Sequence, residues 1–349
     1  MSGKVAAAMS GGVDSSVIAL LLKNKGFEVV GFTLDLLDGQ LSDSLKGEIK
    51  DLSSQLGIPH HFIDARHEFF SRVIKPFADE YEAGLTPNPC VECNKYIKFG
   101  LLMKSAQALG CSHIATGHYV TSEYDSAKER WLLKKACDET KDQSYMLYTL
   151  SQDQISHSMF PLGSLNKHEV KEIAALNNFS SANKPESQDI CFVPDGDYSG
   201  FLENIMGISS PRGMFLDSSG NEIGRHKGII HYTIGQRRGL GISSFERIFV
   251  IDKNPVENTV TVGSNELLFA KRMVVDNVNW VSVGGIDSIT KASVKSRYRQ
   301  SAQPAFLYPV SENKVVVEFD APQRALTPGQ SAVFYDGDVV LGGGKICRE

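Results

Sequence analysis

The chain has 349 residues, 42% hydrophobic and 22% charged, with a formal net charge of -5 at neutral pH. That length exceeds what one ordinary hydrophobic core organises, so two or three domains are expected, and the charge excludes a uniformly basic nucleic-acid binder while allowing a local basic face. No apolar run reaches the roughly 20 residues that span a bilayer, Met1-Ser2-Gly3-Lys4 runs straight into a strand pattern without a leader, and six unevenly spaced cysteines are no disulfide scaffold. A cytoplasmic protein without membrane contact is the expectation.

In chain order the first signal is an apolar run over residues 5–9, then Ser10-Gly11-Gly12-Val13-Asp14-Ser15-Ser16, then an apolar helical run over 17–22. A strand that ends in a small-residue loop and opens a helix offers free backbone N–H groups and the positive end of the helix dipole to an anion. Its glycines let phosphate oxygens approach the main chain. The loop lacks the Gly-Lys-Ser/Thr ending of a Walker A sequence and the Gly-x-Gly-x-x-Gly dinucleotide fingerprint. Ser-Gly-Gly-x-Asp-Ser resembles instead the pyrophosphate loop of ATP pyrophosphatases, which split ATP into AMP and pyrophosphate while adenylating a substrate oxygen.

Short buried strands are expected over 4–9, 28–34, 60–64 and 111–117, and helices over 15–25, 44–56, 66–83 and 94–109, several stopped by Gly26, Gly57, Gly84 and Gly110. This βαβ alternation predicts a parallel sheet covered by helices, with the site at the carboxyl ends of the strands. Ser10 to Ser16 and Thr116-Gly117-His118-Tyr119 then share one rim. After Asp195-Gly196-Asp197 the pattern changes to short strands and Gly-rich turns, and from about Lys271 to an apolar/polar alternation that fits a small antiparallel barrel or sandwich. The expected architecture is an α/β parallel-sheet, adenine-nucleotide-hydrolase-like (PP-loop) domain over 1–197, a small mainly β central domain over 198–268 and a C-terminal β-barrel over 269–349.

Cys90-Val91-Glu92-Cys93 follows Thr86-Pro87-Asn88-Pro89 and opens a helical stretch. A helix start is expected to lower a thiol pKa from about 8.5 toward neutrality. Tetrahedral zinc needs two further ligands, and no second closely spaced pair is evident. Cys191, in Ser187-Gln188-Asp189-Ile190-Cys191-Phe192, is the expected third participant, while Cys111, Cys137 and Cys347 read as buried fillers.

With Thr86 to Phe99, Ala115 to Tyr119, Lys141-Asp142-Gln143-Ser144-Tyr145, Lys184 to Phe192, Tyr232 to Leu240, Thr327 to Val333 and Gly342-Gly343-Gly344 in the same order, the chain resembles the tRNA 2-thiouridylase (MnmA, or TrmU) family of the ATP-pyrophosphatase superfamily. The resemblance implies replacement of the 2-oxygen of the wobble uridine by sulfur, after ATP has attached AMP to that oxygen. By motif, Ala8, Met9, Ser10, Gly11, Gly12, Val13, Asp14, Ser15, Leu34 and Gly117 would hold ATP, with Asp14 and the loop hydroxyls around pyrophosphate and Mg2+. Sulfur would arrive as a persulfide on Cys191, and Cys93 would assist its release, leaving a Cys93–Cys191 disulfide. Asn88, Pro89 and Cys90 would touch the target base. His118, Lys141, Asp142, Gln143, Arg297, Tyr298 and Gln330 would meet the tRNA, whose flipped wobble base suits a sheet-rim site.

Two departures stand out. Many relatives carry Asp at the place of Cys90, so Cys90, Cys93 and Cys191 could instead hold a 4Fe-4S cluster with one open iron carrying sulfide. Asp35 follows Leu34 where the family more often has Met-Lys. Basic groups at Arg225, His226, Lys227, Arg237 and Arg238, and at Lys295, Arg297 and Arg299, are the expected phosphate contacts. A cysteine desulfurase or sulfur-relay protein is the implied donor, and segments 84–94 and 180–195 are expected to reorder when tRNA docks. The rival readings are a pyrophosphate-loop ligase with a nitrogen nucleophile, which has no need of the thiols, and a catalytically silent RNA-binding or sulfur-carrier protein.

Overall fold

The computed structural model describes residues 3–183, 189–243 and 246–348. Seven strands fall in the first part of the chain: β1 (Lys4–Ala8), β2 (Glu28–Asp35), β3 (His60–Asp64), β4 (His113–Ala115), β5 (Val120–Asp125), β6 (Arg130–Lys135) and β7 (Ser158–Met159). Five of them form a parallel sheet in the order β3-β2-β1-β4-β7. Val5, Ala6 and Ala7 of β1 are buried on both faces, because helices cover both sides of a parallel sheet. The chain leaves β1 toward β2 on one side, and β4 pairs on the other. The loop after β1 and the loop after β4 thereby meet at the switch point where such folds bind ligands.

Helix α1 (Val13–Asn24) follows β1, and α2 (Asp43–Leu56) follows β2, capped by Ser42, whose Oγ accepts from Leu45 N at 3.2 Å, and stopped by Gly57 in the left-handed region. Helices over 66–82 and 89–108 come next, each widened by an i→i+5 turn, at Phe70–Ile74 and at Cys93–Leu101. Such wide turns recur at functional sites. A helix over Lys167–Leu176 packs against α1.

The central domain is a four-stranded sheet, β8 (Gly213–Leu216), β9 (Glu222–His226), β10 (Phe249–Asn254) and β11 (Thr259–Gly263), in the order β10-β11-β8-β9. The remaining strands are β12 (Phe269–Trp280), β13 (Thr290–Lys295), β14 (Gln303–Ser311), β15 (Lys314–Arg324), β16 (Ser331–Asp336) and β17 (Val339–Ile346). They run β12-β15-β14-β13-β16-β17, and β12 pairs back onto β17 to close a barrel. Closure removes the exposed sheet edges that invite aggregation. The hairpin β5–β6 from the first part of the chain extends this sheet by pairing β6 with β17.

The cores cross the domain seams. Phe99, Leu102, Tyr145 and Tyr148 share one cluster with Val333, Tyr335 and Val340 of the barrel. Phe69, Phe77, Cys93 and Phe192 share another with Phe215, Tyr232 and Val250 of the central domain. The helix that carries the Cys-x-x-Cys pair therefore lies where the domains join. Of the three cysteines expected as fillers, only Cys111 is buried; Cys137 is exposed and Cys347 half-buried. Cys137 follows a strand that lies on the outer end of the extended sheet, where one face meets solvent.

Candidate active site

The loop Ser10-Gly11-Gly12 ends β1 and turns directly into α1. Gly11 has φ +77°, a left-handed backbone that calls for glycine; a Cβ there would lie 2.9 Å from Leu45 Cδ1, a side-chain end that can shift. Ser10 N–H donates to Ser15 Oγ at 3.2 Å, and the Ser15 and Ser16 hydroxyls donate to Gly12 O at 2.9 and 3.0 Å. Helices starting after Ser42, Asn88, Ser151 and Asn166 have side-chain caps. Gly12 gives α1 none, which leaves first-turn N–H groups for an anion.

Asp14 lies in that first turn. Both its oxygens accept from Lys167 Nζ, at 2.7 and 2.8 Å, and Oδ1 also accepts from Tyr119 OH at 2.9 Å. Gly117 backs onto the same residue: a Cβ there would lie 3.1 Å from Asp14 Cβ. Sequence reasoning missed Lys167. The capping box of Asn166 and Glu169 marks Lys167 as the first residue of a helix, but nothing in it points to Asp14. Ser16 Oγ also meets Ser181 Oγ at 3.0 Å, tying α1 to the segment that leads toward Cys191.

The thiols gather at the other end of the site. Asn88 Oδ1 accepts from Cys90 N at 3.2 Å and starts the helix. Cys93 is buried, whereas Cys90 and Cys191 are exposed at the mouth. Phe192 anchors Cys191 by edge-on packing against Phe69 and Phe77, with ring centroids 5.8 and 5.2 Å apart. Cys93 belongs to the same cluster.

Burial pushes the Cys93 thiol up to about 12, Lys98 offsets part of that rise, and the Cys191 and Cys90 thiols add to it. Although both residues are partly open to solvent, desolvation of the thiol likewise raises Cys90 and Cys191, the Cys90 thiol adding to the rise at Cys191 and Lys98 opposing in both. The three thiols thus act on one another and on one cation. The expected lowering by the helix start is not what the fold produces, because desolvation of the thiolate outweighs the dipole of a short first turn. Lys98, which sequence reasoning also missed, follows Cys93 within the wide turn.

Among the described residues no group of three or more His, Cys, Asp and Glu side chains is gathered to hold a metal ion. Cys90, Cys93 and Cys191 therefore do not form a ready ligand set for a 4Fe-4S cluster.

The residues expected to meet tRNA fall into two sets. His118 is buried, and burial, with Lys98 nearby, holds its pKa well below the usual histidine range. Lys98 Nζ lies 3.5 Å from its Nε2, and Thr116 Oγ1 lies 2.8 Å from its Nδ1. Asp142 is buried, accepting from Ser144 Oγ at 2.8 Å and Ala136 N at 3.2 Å. Gln143 Oε1 accepts from Tyr119 N, Arg297 Nη2 donates to Ala325 O and Thr327 Oγ1, and Gln330 Nε2 donates to Thr86 O. His226 is buried too, with both ring nitrogens engaged by Asn258 O and Gly228 N. Arg225, Lys227, Arg237, Arg238 and Arg299 are exposed. Tyr298 is half-buried beside Tyr145, with Lys295 Nζ 5.8 Å from its ring centroid.

Of the segments expected to reorder, 84–88 is bonded to the barrel, Pro89 onward is helical, and 184–188, with the start of the Lys184 to Phe192 motif, lies outside the described residues. Pro87, Asn88, Ile190, Tyr198, Thr233 and Gln330, from all three domains, line a cavity of roughly 320 Å³ beside the thiols. No helix among the described residues is long and apolar enough to cross a membrane.

A parallel sheet whose first strand ends in the uncapped Ser10-Gly11-Gly12 loop, followed by a small β domain and a closed β-barrel, is the architecture of a PP-loop protein. Family models match in chain order: the tRNA methyl transferase HUP domain over residues 3–195, the tRNA methyl transferase PRC-barrel domain over 199–264 and the aminomethyltransferase beta-barrel domain over 270–346. A tRNA-specific 2-thiouridylase MnmA 1 of Caldanaerobacter subterraneus subsp. tengcongensis is 46% identical over 99% of this chain and 98% of its own. The MnmA of Clostridioides difficile is 44% identical over 99% and 98%. The chain belongs to the tRNA-specific 2-thiouridylase (MnmA) family. Among solved structures, the U34-tRNA thiolase NcsA from Methanococcus maripaludis with its 4Fe-4S cluster aligns over 58% of this chain and 66% of its own, at 19% identity and TM-score 0.35. A 4-thiouridine synthetase–RNA complex with bound ATP aligns over 59% and 50%, at 16% identity and TM-score 0.38.

Proposed function

We propose that this chain is an ATP-dependent tRNA-uridine 2-sulfurtransferase that adenylates the 2-oxygen of the wobble uridine and replaces it with sulfur from a cysteine persulfide. A pyrimidine carbonyl oxygen is a poor leaving group; as the oxygen of AMP it departs readily. The uncapped start of α1 and the hydroxyls of Ser10 and Ser15 would take the pyrophosphate, with Leu34, Gly117 and Ala8 to Val13 around the nucleotide. Mg2+, when bound with ATP, neutralises phosphate charge, and Asp14 is the carboxylate at this end of the loop. Lys167, held on Asp14, supplies a second cation there.

The sulfur step balances with two thiols. The outer sulfur of a Cys191 persulfide forms a bond to C2 as the C2–O bond to AMP breaks, leaving the base joined to Cys191 through a disulfide. Cys93 then attacks the inner sulfur and loses its proton; the 2-thio group leaves, and a Cys93–Cys191 disulfide remains for an external thiol to reduce. The observation that carries this reading is that Cys93 lies in the same core cluster as Phe192, the chain neighbour of Cys191, with the Cys191 and Cys90 thiols both adding to the rise in the Cys93 pKa. A cysteine desulfurase or relay protein would load Cys191, which is exposed, and the reducing cytoplasm would regenerate the thiols. The tRNA would lie across the exposed Arg299 and the half-buried Tyr298, with its base toward Asn88, Pro89 and Cys90.

The test is to incubate the protein with ATP, unmodified tRNA and a persulfide donor, then analyse nucleosides and nucleotides. Equal 2-thiouridine and AMP support the proposal. RNA-dependent AMP without thiolation would replace it with a ligase, and no AMP with a binding protein.

A further inference from the structure

We propose that Lys345, in the C-terminal barrel, is a positioning residue for the thiol chemistry. Glu92 lies between Cys90 and Cys93, and Lys345 Nζ is 3.1 Å from its Oε1 and 2.6 Å from Glu80 Oε1. One ammonium from the barrel thus joins the Cys-x-x-Cys turn to the preceding helix. Burial disfavours the charge of Lys345, but the two carboxylates more than compensate and raise its pKa. Glu80 Oε2 is buried and has no hydrogen-bond partner among the described residues. Without Lys345, two half-buried carboxylates would face each other uncompensated, which costs far more than a missing surface pair.

The anchor itself is fixed. Lys345 pairs in register with Ser331 on one side and Asp276 on the other, so its backbone moves only with the barrel. The same face grips the segment before the cysteines: Thr86 N donates to Pro328 O at 3.0 Å, Gln330 Nε2 donates to Thr86 O at 2.7 Å, and Arg348 Nη2 donates to Gly84 O at 3.3 Å. Gly329 has φ +91°, and a Cβ there would stand 2.7 Å from Thr86 N, so only glycine lets the two chains approach. Arg297 holds the barrel loop from behind through Ala325 O and Thr327 Oγ1. These tethers leave the Cys90–Cys93 turn little freedom of its own. Lys345 is the tether that reaches inside the motif.

The inference rests on the thiolation reading for its kinetic arm only. In Lys345→Met, kcat for 2-thiouridine formation should fall about tenfold to a hundredfold while KM for tRNA changes less than about twofold, the pattern of a misplaced reacting group. Hydrogen exchange over 84–93 should accelerate and buried Cys93 should alkylate faster with iodoacetamide, neither of which requires turnover. Lys345→Arg should restore all three. If Lys345→Met does not fold, Glu92→Gln, which breaks the same ion pair from the motif side, should give the same pattern. Unchanged exchange and Cys93 alkylation, or a rise in KM with kcat intact, would overturn the proposal. Failure of thiolation in the unmodified protein, with the exchange and alkylation effects present, would overturn the functional reading and leave the positioning role standing.

Discussion

Lys167 Nζ lies 2.7 and 2.8 Å from the two carboxylate oxygens of Asp14, across 153 positions of sequence. Lys167 is the first residue of its helix and is buried, so it has few other places to go. Lys167→Met should cut tRNA-dependent AMP formation by about a hundredfold, the loss typical of one preorganised charge at a phosphoryl site. Lys167→Arg should retain part of the activity. Full AMP formation in Lys167→Met, measured by nucleotide chromatography, would remove this residue from the nucleotide site.

Gly11→Ala forces a side chain into a left-handed backbone and against Leu45. The strain is about 1–2 kcal/mol, enough to reshape the loop. ATP affinity by calorimetry should fall about tenfold or more, while tRNA affinity stays the same.

Cys93, held up to about 12 by burial first and by Cys191 and Cys90 further, carries its proton through neutral pH in the free protein. Thiolate, the reactive form, gains about tenfold per pH unit below the pKa. Its iodoacetamide rate should climb steadily from about pH 7 to about pH 10, where a short peptide thiol with a pKa near 8.5 levels off. A plateau at Cys93 below about pH 9 would mean that the thiolate forms without substrate and that burial does not control it.

Arg297 and Arg299, two residues apart, should separate by function. Arg297 spends its guanidinium on Ala325 O and Thr327 Oγ1, so Arg297→Ala should cost about 1–3 kcal/mol of stability in denaturant unfolding. Arg299 is exposed; Arg299→Ala should leave stability unchanged and reduce the salt slope of tRNA binding by about one. A salt slope equal to that of the unmodified protein would exclude Arg299 from the RNA surface.

What was legible in the sequence was local. Ser10 to Ser16 announces itself because glycines, hydroxyls and an acid fall in register at a strand-to-helix junction, and β1 to β4, four of the seven strands of the first part, with the helices over 13–24, 43–56, 66–82 and 89–108, follow from apolar periodicity and glycine stops. Pairings across the fold were not legible. Lys167 with Asp14, Lys98 with His118 and Lys345 with Glu92 are made by packing, and nothing in the flanking residues of either partner encodes the other. Residues 120–135 fall within the expected first domain, yet their hairpin β5–β6 extends the barrel, because β12 covers β17 only from Gly342 onward and leaves Val339 to pair with Lys134. The direction of the thiol shift was misread for a related reason: a helix start is visible in sequence, but the desolvation that overrides it comes from residues as distant as Phe192.

The most direct test of the account is a single turnover with Cys191-persulfidated protein, ATP and unmodified tRNA, followed by peptide mass spectrometry without reductant. The account predicts one 2-thiouridine and one AMP per protein, together with a Cys93–Cys191 disulfide. Stoichiometric 2-thiouridine with both cysteines still reduced, or undiminished thiolation by Cys191→Ser, would contradict it.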